Sequence, residues 1–289
     1  MINKNNCTQY KDTQFYICKE ESDNETSTIR MVAIDSINII TYTAILIYEL
    51  VKNSNIGVND ISLSIESIPN SITKLKDNKY DINTGIFSPS YSQYYCDYVG
   101  RDITFASSYA DGQKSFLAIN NNSELTASDF RNKKDITVYL ASKEAGSYSD
   151  LLRYIDNNNI SRDNYNFVLV ENELDLFNKI SNDDNAVALL FTPHPLYSTD
   201  KLRSLGIYDT FLPNSIFPAM SNNYINSVEY SSTIMKFLNG MYLEEKAFKF
   251  VGQKILEDGT KLSNYTVQKL YDLISNLNNE HRKYIRFGV

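Results

Sequence analysis

The feature that most narrows what this chain can fold into is a rhythm of strand, helix, strand, helix, strand that occurs twice. In its first occurrence Ile29–Ile34 reads as a short buried strand and Ile39–Lys52 as a long apolar helix. Ile61, Leu63 and Ile65 then alternate with Ser62, Ser64 and Glu66, the period-2 pattern of a strand. Ser67–Lys76 carries Ile68, Ile72 and Leu75 at helical spacing, and Asp81–Phe87 reads as a third strand. Strands separated by helices pair in parallel through right-handed crossovers, so the series predicts a parallel sheet.

The second occurrence has strands at Lys114–Asn120 and Ile136–Ala141, a helix at Ser149–Asn157, a strand at Phe167–Glu171, a helix at Leu174–Ser181 and a strand at Ala186–Thr192. A return strand is expected at Tyr208–Leu212, followed by amphipathic helices at Val228–Leu238, Glu244–Glu257 and Thr266–Leu277. A chain of 289 residues can build two sizeable cores. The expectation is an α/β protein of two lobes with a helical C-terminal tail. Residues 28–110 and 207–289 would form lobe I, residues 111–206 lobe II, and residues 1–27 a polar, irregular N-terminal arm. The lobes would hinge near Tyr109–Lys114 and Gly206–Thr210. Open α/β sheets bind ligands outside the carboxyl ends of their strands. The loops after Ile34, Phe87, Ala141 and Leu190 should therefore meet across a cleft.

Composition removes several functions. A net charge of −7 supplies no basic face for nucleic acid, but it would draw in a cationic ligand. There is no GxSxG, P-loop or GxGxxG motif, and two histidines leave little for acid–base chemistry, so no enzyme and no cofactor is expected. The three cysteines form no CxxC or Cys/His cluster, and no metal site is expected. Cys7 and Cys18 flank a short polar stretch and could be either a disulfide or free thiols. Asn-x-Ser/Thr sequons begin at Asn24, Asn121, Asn159 and Asn264, in a chain with several asparagine runs. The first thirty residues lack the apolar core of a signal peptide, so any leader would precede this sequence. The most apolar stretch, Ile37–Val51, is too short to span a bilayer and contains Asn38 and Glu49. The aromatic content is 22 Tyr and 14 Phe with no Trp, so any aromatic binding surface must be made of Tyr and Phe.

The segment Ala188-Leu-Leu-Phe-Thr-Pro-His-Pro-Leu-Tyr197, with Asp200-Lys-Leu-Arg-Ser-Leu205 after it, resembles the glycine betaine/choline substrate-binding family of ABC transporters. In that family a strand runs into an aromatic-x-Pro-His/Tyr-Trp turn. The layout of Ile29–Phe87, ending in Asp-Ile-Asn-Thr-Gly-Ile-Phe, and the tail pieces Lys236-Phe-Leu-Asn239 and Leu243-Glu-Glu245 fit the same family, so the likeness covers roughly residues 28–260. Two departures stand out. The family walls its ligand with Trp, which this chain lacks, and Pro195 follows His194 where Trp is usual. The resemblance implies the two-lobed periplasmic-binding-protein type II (Venus flytrap) fold. It also implies a small quaternary ammonium ligand, an extracellular or periplasmic location, and an ABC permease as partner. A receptor's ligand-sensing domain would share the fold, as could an enzyme built on the same scaffold.

A quaternary ammonium cannot donate hydrogen bonds; it is held by aromatic faces, each worth about 2 kcal/mol when desolvated. Three or four rings with a few polar contacts approach the roughly 8 kcal/mol of a micromolar site. By position, Phe191 is a cage wall or a core Phe at a strand end, and His194 a donor to the ligand or a solvent-facing turn residue. Phe87, Ser88 and Tyr91 follow the third strand and supply a ring or pack between lobes. Asp35, Ser36 and Asn38 lie at a helix start, where Asp35 or Ser36 caps the helix or the group contacts ligand. Gly146, Ser147 and Tyr148 offer amides and a ring, or simply start a helix.

Overall fold

The computed structural model describes residues 7–9, 16–18, 28–54, 56–87, 102–141, 143, 146–191, 201–206, 213–227, 231–240 and 245–277. Its strands are β1 (Cys7–Gln9), β2 (Tyr16–Cys18), β3 (Ile29–Ile34), β4 (Ile61–Glu66), β5 (Ile82–Phe87), β6 (Ile103–Phe105), β7 (Ala110–Asn120), β8 (Ile136–Leu140), β9 (Tyr165–Leu169), β10 (Ala186–Phe191), β11 (Leu202–Ser204) and β12 (Pro213–Ser221). The helices are α1 (Ile37–Asn53), α2 (Ile68–Lys76), α3 (Ala127–Asn132), α4 (Gly146–Asn157), α5 (Glu173–Ile180), α6 (Asn222–Ser227), α7 (Ser231–Asn239), α8 (Glu245–Asp258) and α9 (Val267–Ser275).

The strands lie in the order β4-β3-β5-β12-β7-β10-β8-β9. Both predicted parallel units form: β3 pairs with β4 and β5, and β8 pairs with β9 and β10, all in parallel. They are joined by antiparallel strands, because β12 pairs with β5 and β7, and β7 pairs with β10. β7 serves both halves. Its start, up to Lys114, pairs with β12, and its continuation from Ser115 pairs with β10.

Each half buries its own core. In the first, Ile37 to Leu50 of α1 are all buried, as expected of a helix apolar around its whole circumference. α1 packs on β3 and β5 and against α8 and α9. In the second half both sheet faces are covered, so apolar residues run continuously along the strands. Leu117, Ile119, Val187 and Leu189 point into one core with Val138 and Leu151. Phe116, Ala118, Ala188 and Leu190 point into the other with Leu176 and Ile180. This is the alternation of a strand applied to two apolar faces.

Several expectations change. The N-terminal arm is not wholly irregular, since β1 and β2 form an antiparallel pair that sets Cys7 opposite Cys18. The expected return strand at Tyr208–Leu212 falls outside the described residues; β12 fills that role later, from Pro213. β7 begins at Ala110 rather than Lys114, because its early part pairs with β12. The helix expected at Val228–Leu238 is represented by α7, starting at Ser231, with α6 before it. α3 was not foreseen, although Thr126 and Asp129 cap it reciprocally: the Asp129 N–H donates to Thr126 Oγ1 at 3.1 Å, and the Thr126 N–H to Asp129 Oδ2 at 3.0 Å. Among the described residues no helix is long and apolar enough to cross a membrane, and no group of three or more His, Cys, Asp or Glu could hold a metal ion.

Candidate functional site

Strand direction locates the cleft. β5 and β7 are each antiparallel to β12, so they run the same way; β10 is antiparallel to β7 and runs back. Phe87, the last residue of β5, lies opposite Ile216, and Ile216 lies opposite Ala110. Phe191, the last residue of β10, lies opposite Ser115. The carboxyl ends of β5 and β10 therefore point toward each other across Ala110–Ser115, a stretch of about 17 Å in extended chain. The backbone thus brings the Phe87 and Phe191 positions to one cleft. Ser88, Tyr91 and His194 lie outside the described residues.

On the first half, β3 ends at Ile34 and the chain turns directly into α1. The Asp35 N–H donates to the Glu66 carbonyl at 2.9 Å and the Ser36 N–H to the Ile34 carbonyl at 2.7 Å, which fixes the turn. Ser36 takes the N-cap position with φ −146° and ψ 135°, but its hydroxyl makes no capping bond. This corrects the simple capping expectation. The first amide of α1, Ile37 N–H, donates instead to Glu173 Oε2, and the Ser36 hydroxyl donates to Glu173 Oε1 at 3.3 Å. Glu173 is the first residue of α5, in the other half. A carboxylate is well matched to a helix N-terminus, where unpaired amides and the helix dipole favour negative charge.

Asp35 and Asn38 complete this corner. Asn38 is buried, and the Oδ1 atoms of both residues are buried without a hydrogen-bond partner. Burial, and then the neighbouring Glu173 carboxylate, push the Asp35 carboxyl up to about 6, with Lys261 pulling the other way and Glu171 adding to the rise. The corner is rich in acceptors and short of donors.

On the second half, α4 starts at Gly146, beyond the carboxyl end of β8. Ser147 is buried, and the half-buried Tyr148 ring meets Phe167 edge to face at 5.6 Å and 83°, beside the core of its own half. One turn on, the buried Asp150 accepts from the Ser115 hydroxyl at 2.9 Å and pairs with Arg153. Burial raises the Asp150 carboxyl above its ordinary range, against the opposing pull of Ser115 and Arg153. In the core of the first half the fully buried rings of Tyr42 and Tyr109 stack face to face at 3.4 Å. Gly85 makes room for Tyr109 and Ile39, since a Cβ there would stand 2.5 Å from both Tyr109 Oη and Ile39 Cδ1.

Sequence reasoning missed Glu173, Asp150 and Ser115. Glu173 carries a signal, an acidic residue in the first turn after the Asn172 N-cap, but that signal points to its own helix and not to α1.

No protein-family model matches the chain, and no curated protein matches it in sequence. Solved structures do match in shape. Lactococcal OpuAC, closed and complexed with glycine betaine, superposes with a TM-score of 0.66 at 11% identity, over 90% of this chain and 100% of that one. A choline-binding protein of an ABC transporter, in complex with choline, gives 0.63 at 15% identity, over 88% of this chain and 90% of that one. The glycine betaine/L-proline-binding protein ProX from Borrelia burgdorferi gives 0.65 at 11% identity, over 90% and 100%. This is the type II periplasmic-binding-protein fold. In a Venus flytrap of this kind the facing strand ends are the expected ligand cleft, and here they are the ends of β5 and β10 with the starts of α1 and α4 at their sides.

Proposed function

We propose that this protein binds a small quaternary ammonium solute between two closing lobes, residues 28–110 with 207–289 and residues 111–206, and delivers it to an ABC-type permease outside the cytoplasm. The observation that carries the reading is the opposition of the β5 and β10 carboxyl ends across Ala110–Ser115. Three features support it further. The fold is shared with glycine betaine- and choline-binding proteins over nearly the whole chain. The net charge of −7 favours a cation. At the corner of Asp35 and Asn38 two oxygen acceptors, one on each side chain, have no hydrogen-bond partner. In this reading Phe87, Tyr91, Tyr148 and Phe191 contribute rings from both lobes, Ser88, Gly146, Ser147 and His194 contribute polar contacts, and closure completes the cage without chemical turnover.

A thermal-shift screen of choline, glycine betaine, carnitine, amino acids and small anions tests this. A methylated ammonium at about 100 times its Kd should raise Tm by roughly 5 °C or more, since only the folded state binds it. Phe191→Ala should remove that response. A larger shift with an amino acid, or an unchanged response in the variant, would overturn the ligand class or the cage respectively.

A further inference from the structure

The two halves are joined at one flank of the cleft by the segment between β9 and α5. Glu173 binds the first amide of α1 and the Ser36 hydroxyl. Two residues earlier, Glu171 pairs with Lys261 in the turn after α8. Leu174 packs into the core of the first half, although α5 belongs to the second. Leu256 of α8 touches the cores of both. Charged, polar and apolar contacts thus coincide on one short segment.

The consequence concerns ligand chemistry. The N-terminus of α1, beyond the carboxyl end of β3, is where an anionic ligand group would seek free amides. Glu173 already sits there. Around it the Glu173 and Glu171 carboxylates act on Asp35 against the opposing pull of the Lys261 ammonium. A ligand carboxylate arriving here finds its seat filled and two or three negative charges beside it. Next to that seat the buried Oδ1 atoms of Asp35 and Asn38 are unpaired acceptors, which add to the acceptor character of this corner.

We infer that Glu173 is a specificity-determining residue: its carboxylate takes the anion seat at the start of α1 and restricts the closed cleft to cations that carry no carboxylate. The ligand preference rests on the proposed function; the occupied seat does not. Two measurements keep them apart. By calorimetry, the wild-type protein should bind choline about tenfold or more tightly than glycine betaine, and Glu173→Ala should narrow that ratio by about tenfold, with Glu173→Gln in between. By NMR, the Ile37 amide should respond to acetate in Glu173→Ala and not in the wild type, both proteins keeping their dispersed spectra. If acetate moves the Ile37 signal but neither ammonium binds any variant, the seat stands and the quaternary ammonium reading falls. An unchanged choline-to-betaine ratio in Glu173→Ala, or an Ile37 amide that ignores acetate in that variant, overturns the inference.

Discussion

The helices α1 and α4 both lack an acidic residue in the first turn, and each meets a carboxylate in a different way. α4 carries its buried anion itself: Asp150 lies within the helix and is held by Ser115 and Arg153 of the same half. α1 has no acidic residue in its first turn and borrows Glu173 from the other half. The contact at α4 persists whether the halves are together or apart. The contact at α1 exists only when they meet. The contrast separates a contact within one half from a contact that ties the two halves together.

Substitutions sharpen the contrast, beginning with the deepest packing. Leu46 is fully buried in α1. Leu46→Ala should lower unfolding free energy by about 2–5 kcal/mol in urea denaturation, through lost transfer energy and the cavity left behind. The loss should be the same with or without added solute, because this face of α1 is buried in its own half. Asp150→Ala comes next, at about 1–3 kcal/mol, because the buried Ser115 hydroxyl loses its acceptor. It too should act without regard to ligand. A destabilisation by Asp150→Ala that vanishes on ligand binding would place Asp150 with Glu173 as a closure contact and break the distinction.

Much of this architecture was legible in the sequence because it depends on local periodicity. The run Lys114–Asn120 reads as a strand, and Ile39–Lys52, in the most apolar stretch of the chain, reads as a buried helix. The strand ends at Phe87 and Phe191 were placed for the same reason, and register then set them facing one cleft. What stayed hidden depends on distance along the chain. Glu173 and Ile37 are 136 residues apart, and a glutamate opening a helix looks the same whether it serves its own amides or another helix's. The start of β7 at Ala110 was hidden because Ala110–Lys114 lacks an apolar run, and its pairing comes from β12, about a hundred residues later. The sharing of one strand between both halves is likewise a property of pairing rather than of any single segment.

The last test addresses the α1 side of the contrast through pH. The Asp35 carboxyl sits at about 6 in this structure against an ordinary 3.8, raised by burial and by Glu173. The folded form therefore holds a proton on Asp35 more tightly than the unfolded form does, and stability from this group is greatest at low pH. That contribution should fall as pH rises from near 4 to about 6 and then level off. Glu171, Asp129 and Asp258 are shifted downward by their cationic and hydroxyl partners and have the opposite sign, losing stability as pH falls. The measurement is thus a difference: Tm against pH for wild type and Asp35→Asn. The two curves should diverge between pH 4 and 6 and run parallel above, with the variant the more stable at neutral pH because it carries no buried charge beside Glu173. Repeating the comparison in Glu173→Gln should shrink the divergence, since the second-largest cause of the shift is then gone. If it does not shrink, Asp35 answers to burial within its own half alone, and α1 is less dependent on its borrowed carboxylate than its geometry implies.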